Sequence, residues 1–251
     1  MTKPGRPAYL RIADDLRDRI IGGDLAPDEL LPSESSLEAQ YKKSRIVVRN
    51  AVKVLRSEGL VITEHGKGTR VRSVRKVIRD SAGRYSRNRT ADVSPFKRDA
   101  GESGQRGGWE HESVKTRASD AIAQRLGIEA GDPVMRTNYL FQVNGEPVQI
   151  STSYEPLSLT ENTSAEYPED GAAVGVIARM DTVGVHVDHV IEKVNARAAR
   201  PEEIRRLDLP AEGSYVLLIE RTHFAGETPV ETCDIVFPGD RYELNYRIDV
   251  D

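Results

Sequence analysis

The sequence predicts an α+β chain of two domains, a small helical one closed by a β-hairpin and a larger one in which helices lie on an antiparallel sheet. Three observations carry this. Helical periodicity dominates residues 8–58 and hairpin signals dominate residues 133–240; a stretch with little apolar periodicity lies between them; and the charge divides with the pattern. Residues 1–90 hold 20 Lys+Arg against 11 Asp+Glu, a balance of +9, whereas the remainder holds 16 against 29, a balance of −13. The net charge of −4 conceals this division. A basic half can approach a polyanion, and an acidic half keeps the molecule from collapsing onto it without specificity.

The 251 residues, 38% hydrophobic and 30% charged, have the composition of a globular protein. No apolar run approaches the roughly eighteen residues of a membrane span, and "MTKPGRPAYLRIADDL" lacks the apolar core of a signal peptide. A cytoplasmic protein without membrane contact is expected. The single cysteine, Cys233, excludes an intrachain disulfide and a cysteine-based zinc site within one chain.

In the basic half, Tyr9, Ile12, Ala13, Leu16 and Ile20 recur at helical spacing until Gly22-Gly23 stops the helix. Ser33, after Pro32, is placed to cap a short helix from about Glu34 to Tyr41. Ser44 then opens a third helix, and Gly59 stands where a left-handed residue ends it. In that helix Arg45, Arg49, Lys53 and Arg56 fall within an arc of about 80° while Val47, Val48, Ala51, Val52, Val54 and Leu55 fill the other side. "LVITEHGKGTRVR" follows as two β segments around His65-Gly66-Lys67-Gly68.

Helix, short helix, turn, helix, hairpin is the order of a winged helix-turn-helix. A helix of this width fills a DNA major groove and reads bases from its N-terminal residues, which favours Ser44, Arg45 and Arg49 over Arg56. Arg45 can donate two parallel hydrogen bonds to guanine; Ser33 and Ser35 suit phosphate oxygens.

The stretch "YLRIADDLRDRIIGGDLAPDELLPSESSLEAQYKKSRIVVRNAVKVLRSEGLVITEHGKGTRV" closely resembles the DNA-binding domain of the GntR family of bacterial transcription regulators. The resemblance implies DNA contact by Ser33, Ser35, Ser44, Arg45, Arg49, His65, Gly66 and Lys67. Val47 departs from the family's usual threonine, and Lys42-Lys43 from its usual apolar-glycine pair.

The boundaries expected are a winged helix-turn-helix over 1–73, a linker over 74–92, and a second domain over 93–251. In the acidic half, "TRASDAIAQRLGI" predicts a helix ended by Gly127, and "DPVMRTNYLFQVNGEPVQISTSYEP" a hairpin around Asn144-Gly145. "GAAVGVIARM" and "PEEIRRLDL" read as helices and "GVHVDHVIEKVNARAA" as a strand; a second hairpin turns at Ala225-Gly226 before a closing strand. Gly145-Glu146-Pro147-Val148 before a serine-rich strand, the stretch Arg200 to Leu209 and "DRYELNYRI" resemble the UTRA effector domain of the HutC subfamily, whose fold is similar to chorismate lyase. That resemblance implies homodimerisation and a pocket for a small-molecule effector, with Arg136, Ser151, Ser153, Tyr154, Arg179 and Glu231 lining it.

The function expected is a ligand-responsive transcription regulator, a repressor binding double-stranded operator DNA of inverted-repeat form as a homodimer. The alternative is a chorismate-lyase-like enzyme tethered to a DNA-binding module, although no positioned acid, base or nucleophile stands out in residues 93–251. A Gly-rich phosphate loop, a nucleophile elbow and an H-E-x-x-H motif are all missing from the sequence. His186 and His189, three apart on a strand, point to opposite faces. Neither a metal nor a cofactor is expected.

Overall fold

The computed structural model describes residues 5–64, 66–72, 76–81, 83–87, 94–170, 175–210 and 214–247. They form two compact units whose main boundary falls between Arg75 and Lys76. The first contains α1 (Ala8–Ile21), α2 (Glu34–Tyr41), α3 (Arg45–Ser57), β1 (Val61–Glu64) and β2 (Gly68–Val71). Its core joins Ile12, Ala13 and Leu16 of α1, Leu37 of α2, and Val48, Ala51 and Leu55 of α3 to Val61 and Val71 of the hairpin. The aliphatic stripe of α3 is thereby buried, which fixes its basic stripe outward.

The end of α3 shows why that orientation is firm. Gly59 takes φ 72°; its N–H reaches the Arg56 carbonyl at 3.0 Å, and the Leu60 N–H reaches the Leu55 carbonyl at 3.0 Å. These two bonds are the paired closure of a left-handed helix stop. The Arg17 Nε donates to Glu58 at 2.8 Å and its Nη2 at 2.6 Å, tying α1 to the same end of α3. Gly59→Ala forces a Cβ into left-handed backbone and should cost about 1–2 kcal/mol, read as a lower urea midpoint of the first unit. An unchanged midpoint would show that the stop relaxes elsewhere.

Ser33 caps α2 as expected, its Oγ accepting the Ser36 N–H at 3.1 Å. Ser44 differs: it holds the N-cap position of α3, but its side chain accepts no capping hydrogen bond. Lys42 ends α2 at φ 52°, a conformation that glycine adopts without strain. The wing pairs Val61 with Val71 and Glu64 with Gly68. The chain before α2 adds to it, the Leu31 N–H reaching Thr69 O and the Val71 N–H reaching Glu29 O, each at 2.8 Å.

The second unit runs β3 (Val77–Asp80), α4 (Pro95–Glu102), β4 (Gly107–Arg117), α5 (Asp120–Leu126), β5 (Pro133–Val143), β6 (Glu146–Pro156), α6 (Leu157–Thr160), α7 (Gly175–Thr182), β7 (His189–Ala198), α8 (Pro201–Arg206), β8 (Tyr215–Ala225), β9 (Thr228–Pro238) and β10 (Tyr242–Asn245). Six strands form one antiparallel sheet in the order β4-β5-β6-β9-β8-β7. It is built twice over. Strand, short helix and hairpin recur as β4-α5-β5-β6 and β7-α8-β8-β9, and the two copies meet where β6 pairs with β9. Asn144 and Gly145, at φ 53° and 87°, make the first hairpin's two-residue turn, the geometry that Asn-Gly favours.

One expectation needs correction here. The closing strand β10 pairs in parallel with β3, Tyr242 opposite Val77. The segment 74–92 is consequently not a linker throughout, because Val77 and Arg79 point into the second unit and are buried there. Four residues of mixed polarity carry no local sign of a partner so distant in sequence.

Candidate functional site

Two places concentrate polar chemistry, one in each unit. In the first, Arg45 and Arg49 stand one helical turn apart on α3, with side chains 63% and 60% exposed. Both lean on one carboxylate: Arg45 Nε donates to Glu34 at 2.7 Å, and Arg49 Nε donates at 3.0 Å and 3.1 Å. The two guanidiniums hold the Glu34 carboxyl below its usual range. Engaging Nε leaves the Nη1–Nη2 end of each guanidinium for the planar, bidentate contact that guanine O6 and N7 accept. Ser33 and Ser35 lie at the start of α2, their hydroxyls 2.9 Å apart. Gly66 and Lys67 form the exposed wing tip, Gly66 at φ 77°. His65 lies outside the described residues.

In the second unit strand alternation sorts the sheet into two faces. One is covered by α5, through Ile122, Ala123 and Leu126, and by the Leu207 and Leu209 region after α8. The other floors a cavity of about 150 Å³. Its floor is a polar grid: Gln149, Ser151, Ser153 and Glu155 from β6, Glu231 and Cys233 from β9, Arg221 and His223 from β8. Arg179 of α7, Arg79 of β3, Arg84 and Tyr85 close over it, and Phe96, Trp109, Tyr139 and Phe141 make an aromatic wall.

Of the effector residues expected, Ser151, Ser153, Arg179 and Glu231 line this cavity together. Arg136 and Tyr154 do not. They pair with each other across β5 and β6, on even positions that alternate away from the cavity, and Tyr154 packs beside Ile122 and Leu126. Arg79, Arg84, Glu155, Arg221, His223 and the aromatic wall, none of them among the residues that the resemblance implies, complete the lining. Glu155 had a readable signal, since it continues the alternation of Ser151 and Ser153; Arg79 and Arg221 arrive by long-range pairing that no local pattern shows.

The buried charges are organised in pairs. Arg79 binds Glu192, which also accepts from the Tyr85 hydroxyl; Arg84 binds Asp99; Arg179 binds Glu155 and the Ala165 carbonyl, the latter at 2.6 Å. Glu231, fully buried, accepts from Arg221 at 3.0 Å and lies 2.8 Å from His223 Nδ1. Burial would raise Glu231, but Arg221 and His223 outweigh it and hold the carboxyl at about 2. For Glu155 burial wins over Arg179, and its pKa is pushed up to about 7.

That difference sets a pH dependence. A carboxyl whose folded pKa lies above its unfolded value near 4.5 gives its full stabilisation at low pH and loses it as pH rises through about 7. Between pH 5 and 8 the wild type should lose on the order of 2 kcal/mol more than Glu155→Gln, measured by urea unfolding at each pH. Parallel profiles would show that Glu155 titrates normally. Among the described residues no group of three or more His, Cys, Asp or Glu is arranged to hold a metal ion.

An exposed arginine pair on the third helix of a winged helix-turn-helix, followed by a unit with a charged internal cavity, defines a DNA-binding regulator with a sensory domain. Residues 8–71 match the model of bacterial regulatory proteins of the gntR family, and residues 104–243 match that of the UTRA domain. The chain is 31% identical to an uncharacterized HTH-type transcriptional regulator of Streptomyces coelicolor, with 98% of this chain and 94% of that one covered. It is 28% identical to the histidine utilization repressor of Pseudomonas putida, over 96% and 92%. A crystal structure assigned to a GntR-family transcriptional regulator superposes with a TM-score of 0.69 at 42% identity, covering 98% of this chain and 99% of that one.

The chain belongs to the GntR family of bacterial transcription regulators, in the group that carries a UTRA domain. Such regulators bind DNA through the first domain and small-molecule effectors through the second. They are transcription regulators, and the lyase alternative is set aside on that ground. No helix among the described residues is long and apolar enough to cross a membrane.

Proposed function

We propose that the chain is a repressor that works in the cytoplasm as a homodimer and grips an inverted-repeat operator with one α3 in each half-site. Arg45 and Arg49 read bases there; Ser44 lies beside them; Ser33, Ser35 and the wing residues His65, Gly66 and Lys67 meet the backbone and adjacent groove. A small molecule in the second unit's cavity, held by Ser151, Ser153, Arg179 and Glu231, changes the operator affinity. The domain limits 1–73 and 93–251 are the functional division we assign, with β3 belonging structurally to the second part. One observation carries the reading: two guanidiniums, exposed yet held in place by Glu34, stand on a helix whose opposite side is packed in a core. A coupling of about 1–3 kcal/mol between cavity and operator would move the affinity roughly 5- to 150-fold.

Fluorescence anisotropy on a duplex selected by the full-length protein from a random pool tests this. With about six phosphates neutralised per dimer, affinity should fall about 10³-fold between roughly 50 and 200 mM salt. Sedimentation should give two chains per duplex. A flat salt response, or one chain bound, would overturn the reading.

A further inference from the structure

One carboxylate of the cavity lining has no arginine of its own among the described residues. Arg79, Arg84, Arg179 and Arg221 each have a carboxylate of their own, in Glu192, Asp99, Glu155 and Glu231. Glu169 is a fifth carboxylate. It accepts from Trp109 Nε1 at 3.2 Å and from the Tyr139 hydroxyl, both neutral donors, and forms no ion pair among the described residues. Lys97 lies over the Trp109 ring at 4.7 Å, but it is exposed and does not line the cavity.

A second observation points the same way. Glu155 is 1% exposed, and only one of its oxygens is engaged, by Arg179; its Oε2 has no hydrogen-bond partner. Tyr139, in the same lining, feels the charge of both acids. A buried carboxyl oxygen without a partner is costly, and a donor that carries positive charge relieves that cost. The wall beside it is aromatic, and ring faces attract cations. A dianionic phosphate would meet guanidiniums that each already hold a carboxylate. Two donors of the lining, Arg84 Nε and Arg221 Nε, are buried without an acceptor and suit oxygens elsewhere on the ligand.

We infer that the cavity takes a small organic cation: a protonated amine received by Glu155 and Glu169, with its apolar body against Trp109 and Phe141. This rests on the reading of the cavity as the effector site. The chain's only tryptophan, Trp109, reports entry directly.

The test titrates the full-length protein with tyramine, with 4-hydroxyphenylacetate, which has the same ring and the opposite charge, and with glucose 6-phosphate. Tyramine should shift Trp109 emission and raise the unfolding temperature, binding at least about 10-fold tighter than the acid. Glu169→Gln should weaken tyramine about 10-fold or more while keeping the unliganded unfolding temperature and duplex binding; Glu169→Asp, which keeps the charge, should retain it. Response to the acid or the phosphate without response to tyramine overturns the inference yet leaves the cavity as the effector site. Silence of Trp109 toward all three overturns it as well. Tyramine binding with no change in duplex affinity upholds the cation site and refutes its role as effector.

Discussion

Arg45→Ala and Arg49→Ala should each cost about 1–3 kcal/mol in binding to a selected duplex, the worth of one bidentate base contact. The loss should fall on specific DNA far more than on random DNA, because a base-edge contact is forfeited together with one charge. Both side chains are more than half exposed and contribute nothing to the core that holds α3, so circular dichroism and the unfolding temperature should not move. Lys67→Ala offers a contrast: as a wing-tip cation it should weaken all sequences alike and lower the salt slope by about one. If both arginine variants kept wild-type affinity for the selected duplex, α3 would not be the reading element.

Glu231→Ala should have the largest effect on stability. It removes the acceptor of Arg221 and the neighbour of His223, leaving a guanidinium buried without its counter-charge. Breaking a buried pair from one side costs about 3–5 kcal/mol, which for a unit of this size lowers the unfolding temperature by roughly 10 °C. Burial and the Arg221 charge already depress the His223 pKa, and loss of Glu231 should depress it further. Calorimetry of the full chain reads the first effect and the histidine's NMR titration the second. A temperature drop under about 2 °C would mean that Arg221 finds another partner.

What was legible in the chain depended on how local the cause was. The stop of α3 at Gly59, the cap of α2 at Ser33 and the turn at Asn144-Gly145 each rest on one or two residues whose conformational preferences suffice. β4 is different. Its "GGWEHESVKTR" is polar on both faces because it lies at the sheet edge with much of its length exposed, so the alternation that marks a half-buried strand is blurred. α4 carries a local sign, Ser94 before Pro95 at the first helical position, where Pro removes no needed donor. The cavity was half legible. Ser151, Ser153, Arg179 and Glu231 follow from resemblance and alternation, whereas Arg136 and Tyr154 sit one residue out of phase with the inward face, and a period of two reverses the side chain with each step.

The pairing of β3 with β10 sets the length of the leash between the two halves of the molecule. Val71 ends the wing, and Val77, six residues on, is already clamped by the chain's final strand. Fully stretched, that interval spans no more than about 20 Å. Two residues later Arg79 forms part of the cavity wall. Cutting the chain ahead of Tyr242 would take away the strand that holds Val77 to Asp80, lengthening that interval while leaving Arg45 and Arg49 in their own unit.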